Sequence, residues 1–229
     1  MFGHVRLISF DLDDTLWPCH PVIRGAERAC YDWLRREAPR LTERYSPDAL
    51  REHRLALGRA QPAIAHDLTE VRLRSLRELL RETGYAEDLA DAASDVFRAA
   101  RNRVAPYDEV IEGLRRLRSR FTLVSVTNGN SQIEQTPLHA SFHHSLTAAE
   151  VGAAKPDPAI FHAASARSGV PLEAFLHVGD DPLRDVEAAR AIGLTTVWVN
   201  REGRDWPTEL QPADLEVSEI GSLVERLIR

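Results

Sequence analysis

Four short apolar runs, each set beside a helical pattern and most ending in acidic or polar residues, constrain this chain more than any other feature. They are Val5–Phe10, Phe121–Val126, Phe175–Val178 and Thr195–Val199. They are rich in β-branched and aromatic residues, and short runs of that kind read as buried strands. Before the second run, Val110, Ile111, Leu114 and Leu117 recur at helical spacing. Asp157-Pro158 marks a helix start that Gly169 stops, and Asp181-Pro182 and Gly193 frame another. A weaker strand falls near Ser145–Leu146. Strands that alternate with helices need crossover connections, and crossovers make a parallel sheet. The expected fold class is α/β.

Between the first and second runs the pattern changes. From about Cys19 to Ala105 there is no convincing strand, and Arg, Glu, Ala and Leu dominate. Pro39, Pro47, Pro62 and Gly84 divide this block into at least four helical segments. Asp67-Leu-Thr-Glu70 predicts a capping box that opens a helix with Leu68, Val71, Leu76, Leu79 and Leu80 on its apolar positions. The block is longer than a simple crossover requires, so a helical insert is expected.

Bulk properties exclude several functions. Lys+Arg 29 against Asp+Glu 35 gives a net charge of −6, which argues against coating DNA or anionic lipid. The opening apolar run meets acids by Asp11, and no stretch is apolar enough to span a membrane. Two cysteines, Cys19 and Cys30, exclude a disulfide scaffold and a four-cysteine zinc site. A reduced, cytoplasmic protein is expected, with no nucleic-acid or membrane partner, as a monomer or a dimer.

The chemistry gathers where the strands end. In parallel α/β sheets, ligands bind beyond the carboxyl ends of the strands. The first run ends in Asp11-Leu-Asp13-Asp14-Thr15, the second in Thr127-Asn128-Gly129, and the third in Gly179-Asp180-Asp181 with Asp185 beyond. Lys155-Pro156 follows the weaker strand, and Lys155 is the only lysine among the basic residues. Carboxylates crowded on one rim repel unless a cation sits among them, and all-oxygen ligands suit Mg²⁺. A lysine and hydroxyl or backbone donors beside them can receive phosphate oxygens. Of Asp11 and Asp13, on the same side of an extended chain, one can attack as the nucleophile while the other handles protons, which makes phosphoryl transfer the expected reaction.

Asp11-Leu-Asp13-Asp14-Thr15-Leu16, Thr127-Asn128, Lys155-Pro156 and Gly179-Asp180-Asp181 with Asp185 resemble the four ordered motifs of the haloacid dehalogenase (HAD) superfamily. The resemblance spans Leu7 to about Gly193. It implies a Rossmann-like, doubly wound parallel sheet as the core, from 1–18 and 106–229, with a helical cap at 19–105. It also implies a phosphatase for a small phosphorylated metabolite. Asp11 would form an aspartyl-phosphate, and Asp13 would protonate the leaving oxygen and then activate water. Thr127, Asn128 and Lys155 would bind the phosphoryl group. Mg²⁺ would be held by Asp11, the Asp13 carbonyl and Asp180, with Asp185 orienting a metal-bound water or Lys155. His66-Asp67-Leu68-Thr69 with Arg72 and Arg74, and His177-Val-Gly-Asp-Asp181, are similar to bacterial flavin-pathway phosphatases. Those act on 5-amino-6-(5-phospho-D-ribitylamino)uracil, and some on FMN.

Each motif also has an ordinary structural reading. Asp-x-Asp-x-Thr can be an Asx-turn, Thr127-Asn-Gly a plain turn, and Asp181 a helix cap. Arg72 and Arg74 read as solvated helix charges, and Trp17 as either a gating aromatic or a packing residue. The functional alternatives are a phosphomutase, a 2-haloacid dehalogenase, for which Asp13 would be superfluous, and a phosphate-binding pseudoenzyme.

Overall fold

The computed structural model describes residues 2–228. The chain divides into two compact units, a helical one formed by Cys19–Val104 with Asn130–Gln132, and an α/β one formed by the rest.

The helical unit contains α1 (Cys19–Glu37), α2 (Pro39–Arg44), α3 (Pro47–Ala60), α4 (Leu68–Glu82) and α5 (Leu89–Arg101). Proline at the first turn lacks only an N–H that would have had no partner, and Pro39 and Pro47 open their helices in this way. Ser46 caps α3 by accepting from the Ala49 N–H at 3.2 Å. Gly84 turns the chain after α4 with φ +77, where a Cβ would be strained. Ala26, Cys30 and Leu34 from α1 pack with Leu76, Leu79 and Leu80 from α4 and with Ala93 and Phe97 from α5.

Two expectations fail here. Asp67 does cap α4, accepting from Thr69 and Glu70 N–H at 3.0 and 2.9 Å. The reciprocal half of the box is replaced, because the Asp67 N–H donates to Ile64 O and Glu70 instead pairs with Arg74 at 2.6 Å. Leu68, expected on the apolar face, is exposed. A true capping box joins Thr147 and Glu150 in the other unit, where none was expected.

In the α/β unit, β1 (Leu7–Phe10), β2 (Thr122–Thr127), β3 (His144–Thr147), β4 (Phe175–Gly179), β5 (Thr195–Val199) and β6 (Leu215–Val217) form one parallel sheet in the order β3-β2-β1-β4-β5-β6. The short edge strand β6 was not foreseen; three residues carry too little pattern to register. Helices α6 (Val110–Arg118), α7 (Ala148–Val151), α8 (Ala159–Ser168), α9 (Ala188–Arg190) and α10 (Ile220–Leu227) complete the unit. A π-helical segment, Pro182–Glu187, precedes α9. Leu7, Val126, Leu146, Phe161, Phe175 and Leu194 form one buried cluster of this unit. On α6, Gly113 faces Ile220 so closely that an added Cβ would lie 3.0 Å from its Cγ2. Ile111 on the same helix is exposed, although its spacing had suggested a core position.

The strand order has a switch at its centre. From β1 the chain fills one side with β2 and β3, then returns to add β4 on β1's other flank. A crevice opens at such a point, beyond the carboxyl ends of the strands. Ser9 and Phe10 of β1 stand level with Val124 and Ser125 of β2 and with His177 and Val178 of β4. Asp11, Thr127 and Asp180 therefore leave the sheet at one rim.

Cys30 tests the packing of the helical unit, since burial pushes its thiol up to about 11. At pH 8 its thiolate fraction is then about 100-fold below that of an ordinary cysteine. Iodoacetamide should modify Cys30 at least about 100-fold more slowly in the folded protein than in urea, as read by peptide mass. Equal rates would mean that the α1 packing is open.

Candidate active site

The turn after β1 delivers two carboxylates by backbone geometry alone. The Asp11 N–H donates to Val178 O at 2.9 Å, which carries the sheet pattern one residue beyond β1. The chain then coils, Leu16 N–H to Leu12 O and Asp14 N–H to Trp17 O, each at 2.8 Å. Asp14 takes φ +58, a left-handed conformation that aspartate tolerates better than most residues. Trp17 is fully buried, and its indole N–H donates to Asp13 Oδ1 at 2.8 Å. The two readings of Trp17 are thus decided for packing, with Asp13 held in place as a consequence.

Lys155 lies at the centre. Its ammonium donates to Asp185 Oδ1 at 2.6 Å, Asp11 Oδ1 at 2.7 Å and Val126 O at 3.0 Å. It is 3% exposed, and an ammonium has three N–H donors to give. Burial by itself would discharge the amine, but the charges of Asp11 and Asp185 and their hydrogen bonds hold it above its ordinary range. Burial would likewise raise Asp185, yet Lys155 and a hydrogen bond with His177 keep it below the usual carboxylate range.

Asp11 shares Lys155, and Asp180 has only the looser Arg204 guanidinium at 3.7 Å, so neither is held down as Asp185 is. Burial drives Asp11 up further than Lys155 can bring it down, and Asp185 and Asp180 add to the rise. Asp180 is pushed up to about 7 by burial first, then by the charges of Asp185 and Asp14. Oxygens from Asp11, Asp180 and Asp185 lie within 4.8 Å of one another. Thr15 Oγ1 sits between two of them, 3.3 Å from both Asp11 Oδ2 and Asp180 Oδ1. Three carboxylates stand against one buried ammonium and the half-exposed Arg204 guanidinium 3.7 Å from Asp180, which leaves the cluster negative. A hard divalent cation with oxygen ligands fits that donor set in both charge and chemistry.

Each expected site residue has a definite position. Asp11, Lys155, Asp180 and Asp185 come together. The Asp13 carboxylate lies outside the set of three and meets Trp17 instead. Both Asp185 oxygens are engaged, Oδ1 by Lys155 and His177 and Oδ2 by the Asp181 N–H at 3.0 Å. That arrangement makes it the support of Lys155 before anything else. Thr127 is buried, and its Oγ1 accepts from Gly129 N–H at 2.9 Å. Asn128, expected beside the phosphoryl group, turns its side chain to the Lys155 backbone. Its amide donates to Lys155 O and its carbonyl accepts Lys155 N–H, both at 2.8 Å. The side chain is thereby occupied in fixing the lysine's backbone.

Gly179 explains how Asp185 comes so near. A Cβ on Gly179 would lie 2.3 Å from Asp185 Cγ, so only glycine leaves room for that carboxylate.

The sequence missed several contributors. His177 is buried between Ser9 Oγ at 2.9 Å from its Nδ1 and Asp185 Oδ1 at 3.3 Å from its Nε2. Burial holds its imidazole below the ordinary range. Arg201, just past β5, donates to Thr15 O through Nη2 at 2.9 Å and pairs with Glu109 at 2.8 Å. It also stacks 3.6 Å over the Tyr107 ring, pinning the turn after β1. Trp198 Nε1 and Arg204 Nη2 both donate to Asp180 O, at 2.9 and 3.0 Å. Position past a strand's carboxyl end was the one available signal for Arg201 and Arg204. In the helical unit, Arg72 overturns its reading as a solvated charge: it is buried, bonded to both oxygens of Glu27 at 3.1 and 2.8 Å, and stacked 3.4 Å over Phe97. Arg74 is exposed, as expected.

With this geometry in place, the chain can be compared with known proteins. Residues 5–193 match the family model for haloacid dehalogenase-like hydrolases, and the chain belongs to that family. It is 33% identical to the 5-amino-6-(5-phospho-D-ribitylamino)uracil phosphatase YigB of Escherichia coli (strain K12), over 96% of this chain and 95% of that one. It is 32% identical to the phosphoserine phosphatase of Thermus thermophilus, over 94% of this chain and 96% of the relative. The crystal structure of a 2-haloacid dehalogenase from Pseudomonas syringae pv. Tomato DC3000 superposes with a TM-score of 0.91 at 37% identity, covering 97% of this chain and 98% of that one. The protein is a hydrolase. No helix among the described residues is long and apolar enough to cross a membrane.

Replacing Lys155 tests the central contact. Lys155→Arg keeps the charge, but a planar fork cannot meet three acceptors placed around a compact ammonium. Turnover should fall at least about 100-fold, the scale for losing one preorganised donor, while circular dichroism stays unchanged. Near-normal turnover would refute this account of the lysine.

Proposed function

We propose that the chain is a Mg²⁺-dependent phosphatase that hydrolyses a small phosphorylated metabolite through an aspartyl-phosphate on Asp11. The observation carrying this reading is an acid at Asp13, held by Trp17 two residues beyond a buried carboxylate that touches the site's only ammonium. A phosphate ester needs both groups, one to attack phosphorus and one to protonate the departing alcohol. A carbon–halogen bond needs only the first, since halide leaves without a proton.

Asp11 contributes a carboxylate oxygen to phosphorus as the ester P–O bond breaks. Asp13 gives its proton to the leaving oxygen, then takes one from the water that attacks the acyl phosphate, so that phosphate departs and Asp11 is restored. Lys155 offsets the repulsion between the Asp11 carboxylate and the phosphoryl oxygens. Thr127 and the backbone that follows it supply donors to those oxygens. Asp11, Asp180 and the Asp13 carbonyl would hold Mg²⁺, with Asp185 supporting Lys155 alongside. When bound, Mg²⁺ would offset the remaining negative charge of these carboxylates and would polarise the phosphoryl group.

The first substrate to test is the flavin-pathway ester named for the Escherichia coli relative, on the strength of full-length similarity and of the segments His66–Thr69 and His177–Asp181. Likeness to the Pseudomonas syringae dehalogenase favours a second reading, 2-haloacid dehalogenation, in which Asp11 would attack carbon. One assay separates the two. Phosphate and halide release are followed over a panel of phosphate esters and 2-haloacids, with and without Mg²⁺, and with Asp11→Asn as the blank. Mg²⁺-dependent phosphate release is expected. Halide release alone would replace the phosphatase reading with dehalogenation.

Asp13→Asn tests the proton carrier directly. Turnover of an alkyl phosphate should fall on the order of 100-fold or more beyond the fall for p-nitrophenyl phosphate, whose leaving group scarcely needs a proton. Equal losses on both would remove Asp13 from that role.

A further inference from the structure

His177 is a buried titratable group with no part in the phosphoryl chemistry. It is 1% exposed and stands level with Ser9 of the neighbouring strand. Ser9 Oγ lies 2.9 Å from its Nδ1, and Asp185 Oδ1 lies 3.3 Å from its Nε2. The Phe161 ring packs against the imidazole in a T-shaped contact, with centroids 4.8 Å apart, which restricts its rotation. Ser9 is itself fully buried, two residues before Asp11.

These contacts close a circuit of side chains. From Ser9 it runs through His177 to Asp185 Oδ1, then to Lys155 Nζ at 2.6 Å and to Asp11 Oδ1 at 2.7 Å. The donors give the circuit a direction. Asp185 Oδ1 accepts from the ammonium and has no hydrogen to give, so its contact with the ring uses a hydrogen on Nε2. In a neutral imidazole Nδ1 is then the acceptor, and the Ser9 hydroxyl is the donor that fits it. One oxygen thus takes a charged donor and a neutral one. The neutral donor satisfies Asp185 without cancelling its charge, which leaves Lys155 shared between Asp185 and Asp11. Asp185 itself rides the π-helical segment Pro182–Glu187, a rare kind of turn found mostly at functional sites.

We propose that Ser9 and His177 are positioning residues. A neutral imidazole, protonated at Nε2 and held by the Ser9 hydroxyl, fixes Asp185 and through it the point at which Lys155 carries its charge beside Asp11. A histidine that only filled space beside Phe161 could be exchanged for leucine with no effect at the lysine. The proposal rests on the phosphatase reading only for its effect on turnover; the placement of Lys155 stands apart from it.

The chain's single lysine makes the test direct. Protein labelled with ¹⁵N-lysine gives one ε-ammonium signal by NMR, and ¹⁵N-histidine reports which ring nitrogen of His177 is protonated, its signal being identified by loss in His177→Gln. Wild type should carry a proton at Nε2 and none at Nδ1, and a proton at Nδ1 would overturn the proposal by itself. His177→Leu should speed hydrogen exchange of the Lys155 ammonium about tenfold or more, the scale of one hydrogen bond to a charged group. Ser9→Ala, which removes one oxygen, should move it the same way by a smaller factor. His177→Gln, whose amide N–H falls near the place of Nε2, should restore most of the wild-type rate. An unchanged lysine signal in Ser9→Ala and His177→Leu would reduce His177 to packing. Should His177→Leu fail to fold, Ser9→Ala and the wild-type ring decide the matter. Turnover is read separately: kcat should fall about tenfold in His177→Leu with KM little changed, and recover in His177→Gln. Unchanged turnover beside a displaced lysine signal would overturn the positioning role. No phosphate release by wild type from any ester, beside the expected lysine and histidine signals, would refute the phosphatase reading alone.

Discussion

One buried ammonium surrounded by acids organises the α/β unit's functional rim. The Lys155 ammonium gives its hydrogen bonds to Asp185, Asp11 and a β2 carbonyl, so three segments distant in sequence meet at one nitrogen. Removing one partner of a buried ion pair typically costs about 3–5 kcal/mol, because the remaining charge is stranded. The surrounding structure serves that contact. Asn128 fixes the lysine's backbone, Gly179 admits Asp185 and His177 flanks it, while Arg201 pins the turn on which Asp11 begins.

The charges at the rim do not balance, and the imbalance is informative. Lys155 and His177 hold Asp185 as the anion, while burial and mutual repulsion raise Asp11 and Asp180 despite Lys155 beside one and Arg204 beside the other. A protein interior tolerates such crowding where an incoming positive charge completes it.

Much of this was legible before any coordinates. Strand positions followed from apolar runs, and the rim followed from the rule that parallel strands present their carboxyl ends together. Asp11, Lys155, Asp180 and Asp185 were found because short acidic clusters and a solitary lysine stand out in a chain rich in arginine. Direction was harder to read. The Asn128 amide points to the lysine's backbone, and Trp17 reaches back to Asp13, because both choices depend on where distant chain returns. His177 stood out only as part of a motif, and its bonds to Ser9 and Asp185 were hidden, because a buried polar residue looks like a break in an apolar run until its partner on the next strand is known. Arg72 misled in the opposite sense, since helical charge spacing gives no sign that Glu27 and Phe97 enclose it.

The scarcity of lysine has a practical side. The sequence carries one lysine, and it is buried with its ammonium fully engaged. Reagents that seek ε-amines, such as succinimidyl esters and aldehyde fixatives, would meet no exposed lysine on the folded molecule. Dyes, cross-linkers and solid supports therefore cannot be attached through a lysine of the folded molecule, and lysine acylation on this chain would be a report of unfolding.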